Sequence, residues 1–332
     1  MTCGPADRAI NAVAGITHTA SAGARLNFTC AYIPGMSAWS SLRRRTSVSK
    51  VREVESRAPA VLAILPTNAR SWVRQLQELG DVLRMVALDL PGHGESDPAP
   101  AASVEAHAAA TADFLTALES GPRVVVGHSL GGSIAIALAA RRPDLVRGLV
   151  LIASCVKLPL VDSVGERLFA YLPAPLRRLL FFSMVKKVLF APEASADAVA
   201  ITMQELRACR PETILNDVRA ARAMDLTEQA GGLDVPTLVL AGSRDRLTTP
   251  ALAERLSALI RGSRLRIVDG AGHMVPLEAP QWVNREIVAF VESLDAPPRS
   301  ADAAGGHKRP LLRRVLDRLS RIARRRPGST PR

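Results

Sequence analysis

A chain of 332 residues, 48% hydrophobic and 22% charged, is long enough to bury a full core, and its composition is that of a globular protein. Its formal charge of +12 belongs to the ends: residues 308–332 hold ten Lys/Arg against one acid and residues 1–60 eight against three, so the body between them is close to neutral. Cys3, Cys30, Cys155 and Cys209 show neither metal-ligand spacing nor a disulfide framework, and no apolar run approaches the roughly 20 residues of a membrane-spanning helix.

In chain order, residues 1–60 have weak periodicity. A stretch from Arg25 to Ala31 reads as an early strand and the rest as irregular; Ala9 to Ile16 is too short for the apolar region of a signal peptide. From residue 61 to 154, strands and helices alternate. The strands are Val61–Leu65, Leu83–Asp89, Val124–Val126 and Gly148–Ala153; the helices are Ser71–Leu79, Ser103–Leu118 and Gly131–Ala140. This alternation predicts a parallel sheet covered on both faces, with functional groups at the carboxyl ends of strands. Residues 155–232 break the pattern and read as helices punctuated by Pro159, Pro173, Pro175, Pro192 and Pro211. Four of the seven phenylalanines fall there, at 169, 181, 182 and 190. They serve a small core of their own, an apolar cleft wall, or both. Alternation returns over 233–294, with strands Thr237–Ala241 and Leu265–Val268 and helices Ala251–Ile260 and Trp282–Ser293. Residues 295–309 read as a Pro/Ala/Gly/Ser linker. Residues 310–332 read as a basic amphipathic tail, with Leu311, Leu312, Val315, Leu316 and Leu319 on one face and arginines on the other.

The chemistry is carried by Val124-Val125-Val126-Gly127-His128-Ser129-Leu130-Gly131-Gly132. A β-branched strand runs into Gly-x-Ser-x-Gly, and an Ala-rich helix follows at once. This is the layout of a nucleophile elbow, in which a sharp turn lifts a serine hydroxyl clear of the sheet. The helix behind it aims its N-terminal N–H groups, that of Leu130 first, at developing negative charge. A serine needs a base, and the base needs an orienting acid. His273, in the loop after strand Leu265–Val268, occupies the position of the base; Asp245, in the loop after strand Thr237–Ala241, that of the acid. His93 and Asp89 read as shapers of a Pro-Gly-His-Gly loop, and His128 as structural. Ser154 and Cys155, after the preceding strand, offer no carboxylate.

The chain order Ser129, Asp245, His273, the segment Val86-Ala87-Leu88-Asp89-Leu90-Pro91-Gly92-His93-Gly94-Glu95-Ser96-Asp97 and the segment Gly272-His273-Met274-Val275-Pro276-Leu277-Glu278-Ala279-Pro280 together resemble the α/β-hydrolase superfamily over roughly residues 60–294. The resemblance implies an α/β fold with a mostly parallel, doubly wound sheet. Its core is 61–154 and 233–294, with an inserted helical cap at 155–232. It implies a serine hydrolase of the esterase or lipase type acting through Ser129, His273 and Asp245, with no metal or organic cofactor and a small or medium carboxylic ester as substrate. An apolar acyl or alkyl group would face the cap. A lactonase, a C–C hydrolase, a haloperoxidase-like enzyme and a non-catalytic binding protein on the same fold stay open.

One segment departs from the family. Strand Val61–Leu65 ends in Pro66-Thr67-Asn68 where the family places His-Gly, and Pro66 has no N–H to donate to an oxyanion. The second donor beside Leu130 is then expected from Thr67 or Asn68. Upstream, Ile33-Pro34-Gly35-Met36-Ser37-Ala38-Trp39 also resembles an oxyanion loop, followed by an Arg/Ser-rich stretch to Arg57. Either this is an insertion or the N-terminal sequence is not what the folded domain uses. The expected compartment is the cytoplasm, with an anionic membrane surface as a further partner through 308–332. Nucleic acid is disfavoured because no aromatic side chain lies among the tail's arginines for stacking.

Overall fold

The computed structural model of the chain describes residues 12–19, 25–32, 60–64, 69–80, 82–94, 96, 103–117, 121–159 and 173–295. Eight strands form one sheet in the order β1-β2-β4-β3-β5-β6-β7-β8. They are β1 (Ala12–Thr19), β2 (Arg25–Tyr32), β3 (Ala60–Ile64), β4 (Arg84–Asp89), β5 (Arg123–His128), β6 (Val146–Ile152), β7 (Thr237–Gly242) and β8 (Arg264–Val268). All pairings from β4 through β3 to β8 are parallel, and the β1–β2 and β2–β4 pairings are antiparallel.

Helices cover both faces: α1 (Val73–Leu79), α2 (Val104–Ala117), α3 (Leu130–Arg141), α8 (Pro250–Leu259) and α10 (Pro280–Asp295). Successive side chains of a strand point to opposite faces. Val125, Leu149, Leu151 and Val239 therefore join the cluster under α2, α3 and α8, while Val124, Val126, Val150 and Leu238 join the cluster under α1 and α10. This is why the central strands are unbroken runs of aliphatic residues. Between β6 and β7 lie α4 (Ala174–Leu189), α5 (Ala196–Ala208), α6 (Pro211–Ala223) and α7 (Thr227–Gly231); a short α9 (Val275–Glu278) precedes α10. The prolines expected as breakers at 173 and 211 stand at the starts of α4 and α6, where a missing N–H costs nothing.

Two differences from the sequence reading concern the N-terminal half. Ala12–Thr19 is a strand, β1, paired with β2 over eight residue pairs, where an irregular segment was expected. Its run Ala-Val-Ala-Gly-Ile-Thr-His-Thr alternates poorly, and an edge strand takes its geometry from its partner's ladder. The helix expected from Ser71 begins as a 3₁₀ turn over Ala69–Trp72, with the α-helix proper starting at Val73. Remaining boundaries move by one or two residues. Among the described residues no helix is long and apolar enough to cross a membrane. Thr67 and Asn68, the stretch 33–59, the linker and the basic tail lie outside the described residues.

Candidate active site

Strands β5, β7 and β8 run parallel in one half of the sheet, so the loops leaving them open on the same edge. Ser129 follows β5 directly and has φ 54°, ψ −126°, a conformation L-residues seldom adopt. The sequence permits it because Gly127 and Gly132 leave room. A Cβ at 127 would strike the backbone of Gly131 and Gly132, and one at 132 would strike the Ser154 hydroxyl. Local hydrogen bonds fix the turn: Ser129 N–H donates to the Ile152 carbonyl at 2.9 Å, and the Ser154 hydroxyl to the Ser129 carbonyl at 2.9 Å. The Leu130 N–H stands at the first position of α3, and the residue four back, Val126, lies in β5, so the helix offers it no acceptor. It is free to face an anion.

The second and third loops are stitched together by backbone. Ser243 N–H donates to Val268 O and Arg244 N–H to Ala271 O, both at 2.9 Å. A side chain at Gly242 would collide with the carbonyls of Ala271 and Gly272, so glycine is what allows this approach. His273 is held from two further directions. Its N–H donates to the Leu189 carbonyl at the end of α4 (2.9 Å), and its own carbonyl accepts from His128 Nε2 (2.8 Å). Glu278 accepts from the N–H groups of Ala191 (2.9 Å) and Gly272 (3.0 Å), tying the His273 loop to the segment after α4. Burial raises the pKa of Glu278 despite these donors.

The outcome is a hydrogen-bonded line of three side chains. His273 Nε2 lies 3.0 Å from Ser129 Oγ, and His273 Nδ1 lies 2.9 Å from Asp245 Oδ2. Asp245 and His273 are 3% and 2% exposed. A carboxylate only accepts, so Nδ1 carries the proton and Nε2 of the neutral ring is left to accept from the serine. The other Asp245 oxygen accepts from the N–H groups of Leu247 (2.8 Å) and Thr248 (3.0 Å), and Oδ2 also accepts from the Thr248 hydroxyl (2.7 Å). Burial pushes the Asp245 carboxyl up; the hydrogen bond and charge of His273, with Thr248 and Leu247, outweigh it and hold the pKa below the ordinary value. His128, beside this line with ring centroids 5.0 Å from His273, is driven down to about 3 by burial first and by His273 second. It is a neutral spacer that donates to a backbone carbonyl.

The structure therefore brings together Ser129, Leu130, Asp245 and His273; Thr67 is outside the described residues. The sequence reading did not single out Thr248, or the hydroxyl of Ser154 as a support of the elbow. His93, read as a loop shaper, donates from Nε2 to Asp217 Oδ2 on α6 at 2.8 Å. Asp89 accepts at its carbonyl from the Ser96 hydroxyl (2.7 Å), and its carboxyl occupies the space a side chain at Gly94 would need.

A cavity of about 480 Å³ opens above Ser129. Its walls are mostly apolar: Leu130, Met274, and Met184, Val188, Ile214 and Val218 from the helices after β6. Among the described residues, no group of His, Cys, Asp and Glu could hold a metal ion.

A strained serine at a strand-to-helix turn, hydrogen-bonded through a buried histidine to a buried aspartate, defines a class: α/β enzymes of the hydrolase type. Comparison with known proteins places the chain within it. Residues 65–286 match the model of the alpha/beta hydrolase family, and the protein belongs to that family. It is 30% identical over 228 residues to the pimeloyl-[acyl-carrier protein] methyl ester esterase of Neisseria meningitidis, covering 66% of this chain and 72% of that one. It is 26% identical to 3-oxoadipate enol-lactonase 1 of Acinetobacter baylyi, over 71% of this chain and 90% of that one. A thermophilic esterase from Thermogutta terrifontis superposes with a TM-score of 0.68 at 23% identity, over 86% of this chain and all of the other. The protein is a hydrolase, as its named relatives are.

Proposed function

We propose that the protein hydrolyses small or medium carboxylic esters through an acyl-enzyme, with Ser129 as nucleophile, His273 as general base and acid, and Asp245 as the group that orients and charge-balances the imidazole. The observation that carries this is the pair of contacts His273 makes: 3.0 Å to the serine on one nitrogen and 2.9 Å to the aspartate on the other. Ser129 Oγ attacks the carbonyl carbon while its proton passes to His273 Nε2. The tetrahedral oxyanion accepts from the Leu130 N–H and from a second N–H assigned to Thr67. Collapse breaks the ester C–O bond, and His273 returns the proton to the departing alkoxide. Water then attacks the acyl-enzyme, gives its proton to His273, and releases the acid with Ser129 restored. A preorganised oxyanion donor of this kind is worth roughly a hundred- to a thousand-fold in rate.

The helices between β6 and β7 are assigned to a cap (155–232) over a core of 61–154 and 233–294. Their apolar side chains over Ser129 favour an alkyl or acyl group, and the esterase relative is the nearest support for the ester bond itself. Attack on a lactone uses the same groups, and the likeness to an enol-lactonase favours it as the second reading. The positive charge of 308–332 supports a peripheral contact with anionic lipid.

The test is fluorophosphonate labelling together with hydrolysis of an ester panel graded by acyl length. Labelling and turnover by the native chain, both abolished in Ser129→Ala with a rate loss of about 10⁴-fold or more, are expected. Absence of Ser129-dependent labelling and turnover would overturn the proposal.

A further inference from the structure

Among the described residues, the apolar wall of the cavity above Ser129 holds one carboxylate. Asp217 stands on α6 among Ile214, Val218 and Ala221, all of which line the same space. Its side chain is 16% exposed. One oxygen, Oδ2, accepts from His93 Nε2 at 2.8 Å; the other has no hydrogen-bond partner among the described residues. No Lys or Arg among the described residues pairs with it. Behind Nε2, the other His93 ring nitrogen, Nδ1, lies 3.3 Å from the Pro91 carbonyl, and the His107 ring stands edge-on with its centroid 6.0 Å away. Arg222 also lines the cavity and is exposed.

Asp217 is not needed to seat α6 on the core. Arg210 already donates to the carbonyls of Gly92 (2.9 Å) and Ser96 (3.0 Å), and the Thr213 hydroxyl donates to Gly92 (2.9 Å). His93 in turn fixes where the carboxylate points. A carboxylate in an apolar wall penalises a plain alkyl chain, because filling the cavity strips water from an oxygen that the chain cannot satisfy. A ligand bearing its own donor replaces that water and removes the penalty.

From this we infer that Asp217 is a specificity subsite, taking substrates whose acyl group carries a hydrogen-bond donor, a hydroxyl or a protonated amine, away from the scissile carbonyl. The inference rests on the ester-hydrolase reading above and names its substrate class.

The experiment compares methyl esters of matched chain length with four termini: methyl, hydroxyl, ammonium and carboxylate. Hydrolysis by the full chain is followed by acid release, in native, Asp217→Asn and Asp217→Leu forms. The native protein is expected to favour the hydroxyl or ammonium ester over the methyl-terminated one by about tenfold or more in kcat/KM at one chain length. The preference lies in KM, since the contact is remote from the reacting atoms. Asp217→Asn keeps a hydroxyl preference and loses an ammonium one, which separates the two donors. Asp217→Leu inverts the order and improves the plain alkyl esters. The inference is overturned if the native protein favours methyl-terminated esters at every length. A preference for carboxylate termini also overturns it and points to Arg222 instead. If no ester of any kind turns over in a Ser129-dependent way, the ester-hydrolase reading itself has failed. The native panel alone decides the matter should either variant fold poorly.

Discussion

His107 gives a stability test that is independent of catalysis. It lies in α2, 2% exposed, and neither ring nitrogen has a hydrogen-bond partner among the described residues. Burial first and the neighbouring His93 second lower its pKa from 6.5 to about 4, against an upward pull from Asp217. In the fold the ring stays neutral down to that lower value, whereas the unfolded chain takes up its proton below 6.5. More protons on the unfolded chain means that stability rises with pH across the window. The contribution is complete above pH 6.5, is lost as pH falls toward 4, and falls no further below that. Linkage between those two values amounts to about 2 kcal/mol between pH 7 and pH 5. Replacement by leucine removes the titration and the two unsatisfied nitrogens. Equilibrium urea unfolding of native protein and His107→Leu at pH 7, 6 and 5 measures the effect. The native protein is expected to lose about 2 kcal/mol more than the variant over that span. Buried groups common to both, His128 among them, cancel in the difference. Parallel pH dependences in the two proteins would refute the reasoning.

Two further substitutions probe how the site is held. Thr248→Val removes a donor from the buried Asp245 carboxylate, so the Asp245 pKa rises toward the ordinary value and its hold on the His273 ring loosens. With about 1–3 kcal/mol at stake, kcat is expected to fall by several-fold to about a hundredfold with KM little changed, read from a pH–rate profile. Gly127→Ala drives a Cβ to within 2.6 Å of the Gly131 carbonyl carbon. The elbow must shift, costing about 1–3 kcal/mol in melting experiments and displacing Ser129 enough to remove nearly all turnover.

Much of this was readable because it depends on local patterning. The Val124–Val126 run, the glycines at 127, 131 and 132 and the Ala-rich helix place a serine on a strand-to-helix turn by backbone rules alone. What lay beyond sequence depends on contacts between distant segments. Ser154 supports the Ser129 carbonyl only because β6 is next to β5, and nothing in the string Ile152-Ala153-Ser154 announces it. Asp245 could be read as a turn former or as a histidine's partner; it is both, since Oδ1 closes the turn onto Leu247 and Thr248 while Oδ2 meets His273. That double use brings in Thr248, whose hydroxyl reaches the same carboxylate. β1 escaped notice because Gly15 and a run of small residues blur the alternation that marks a strand.

His93 and His273 each donate to an aspartate, yet the two pairs face the cavity with opposite ends. At His273 the imidazole stands between the carboxylate and the serine, so Asp245 is screened by the ring and the cavity meets His273 Nε2. At His93 the ring is 1% exposed and lies behind, so the cavity meets the carboxylate of Asp217. In the proposed mechanism the first arrangement moves a proton, because His273 Nε2 touches the Ser129 hydroxyl. The second cannot, since its ring is sealed from the cavity; what it supplies is a fixed acceptor. On the proposed reading, a substrate spanning the two would meet Ser129 on the core and the Asp217 carboxylate on α6, and the apolar wall between them would set how far apart its carbonyl and its donor must be. Changes at α6 should therefore alter which esters are taken without altering how the bond is broken.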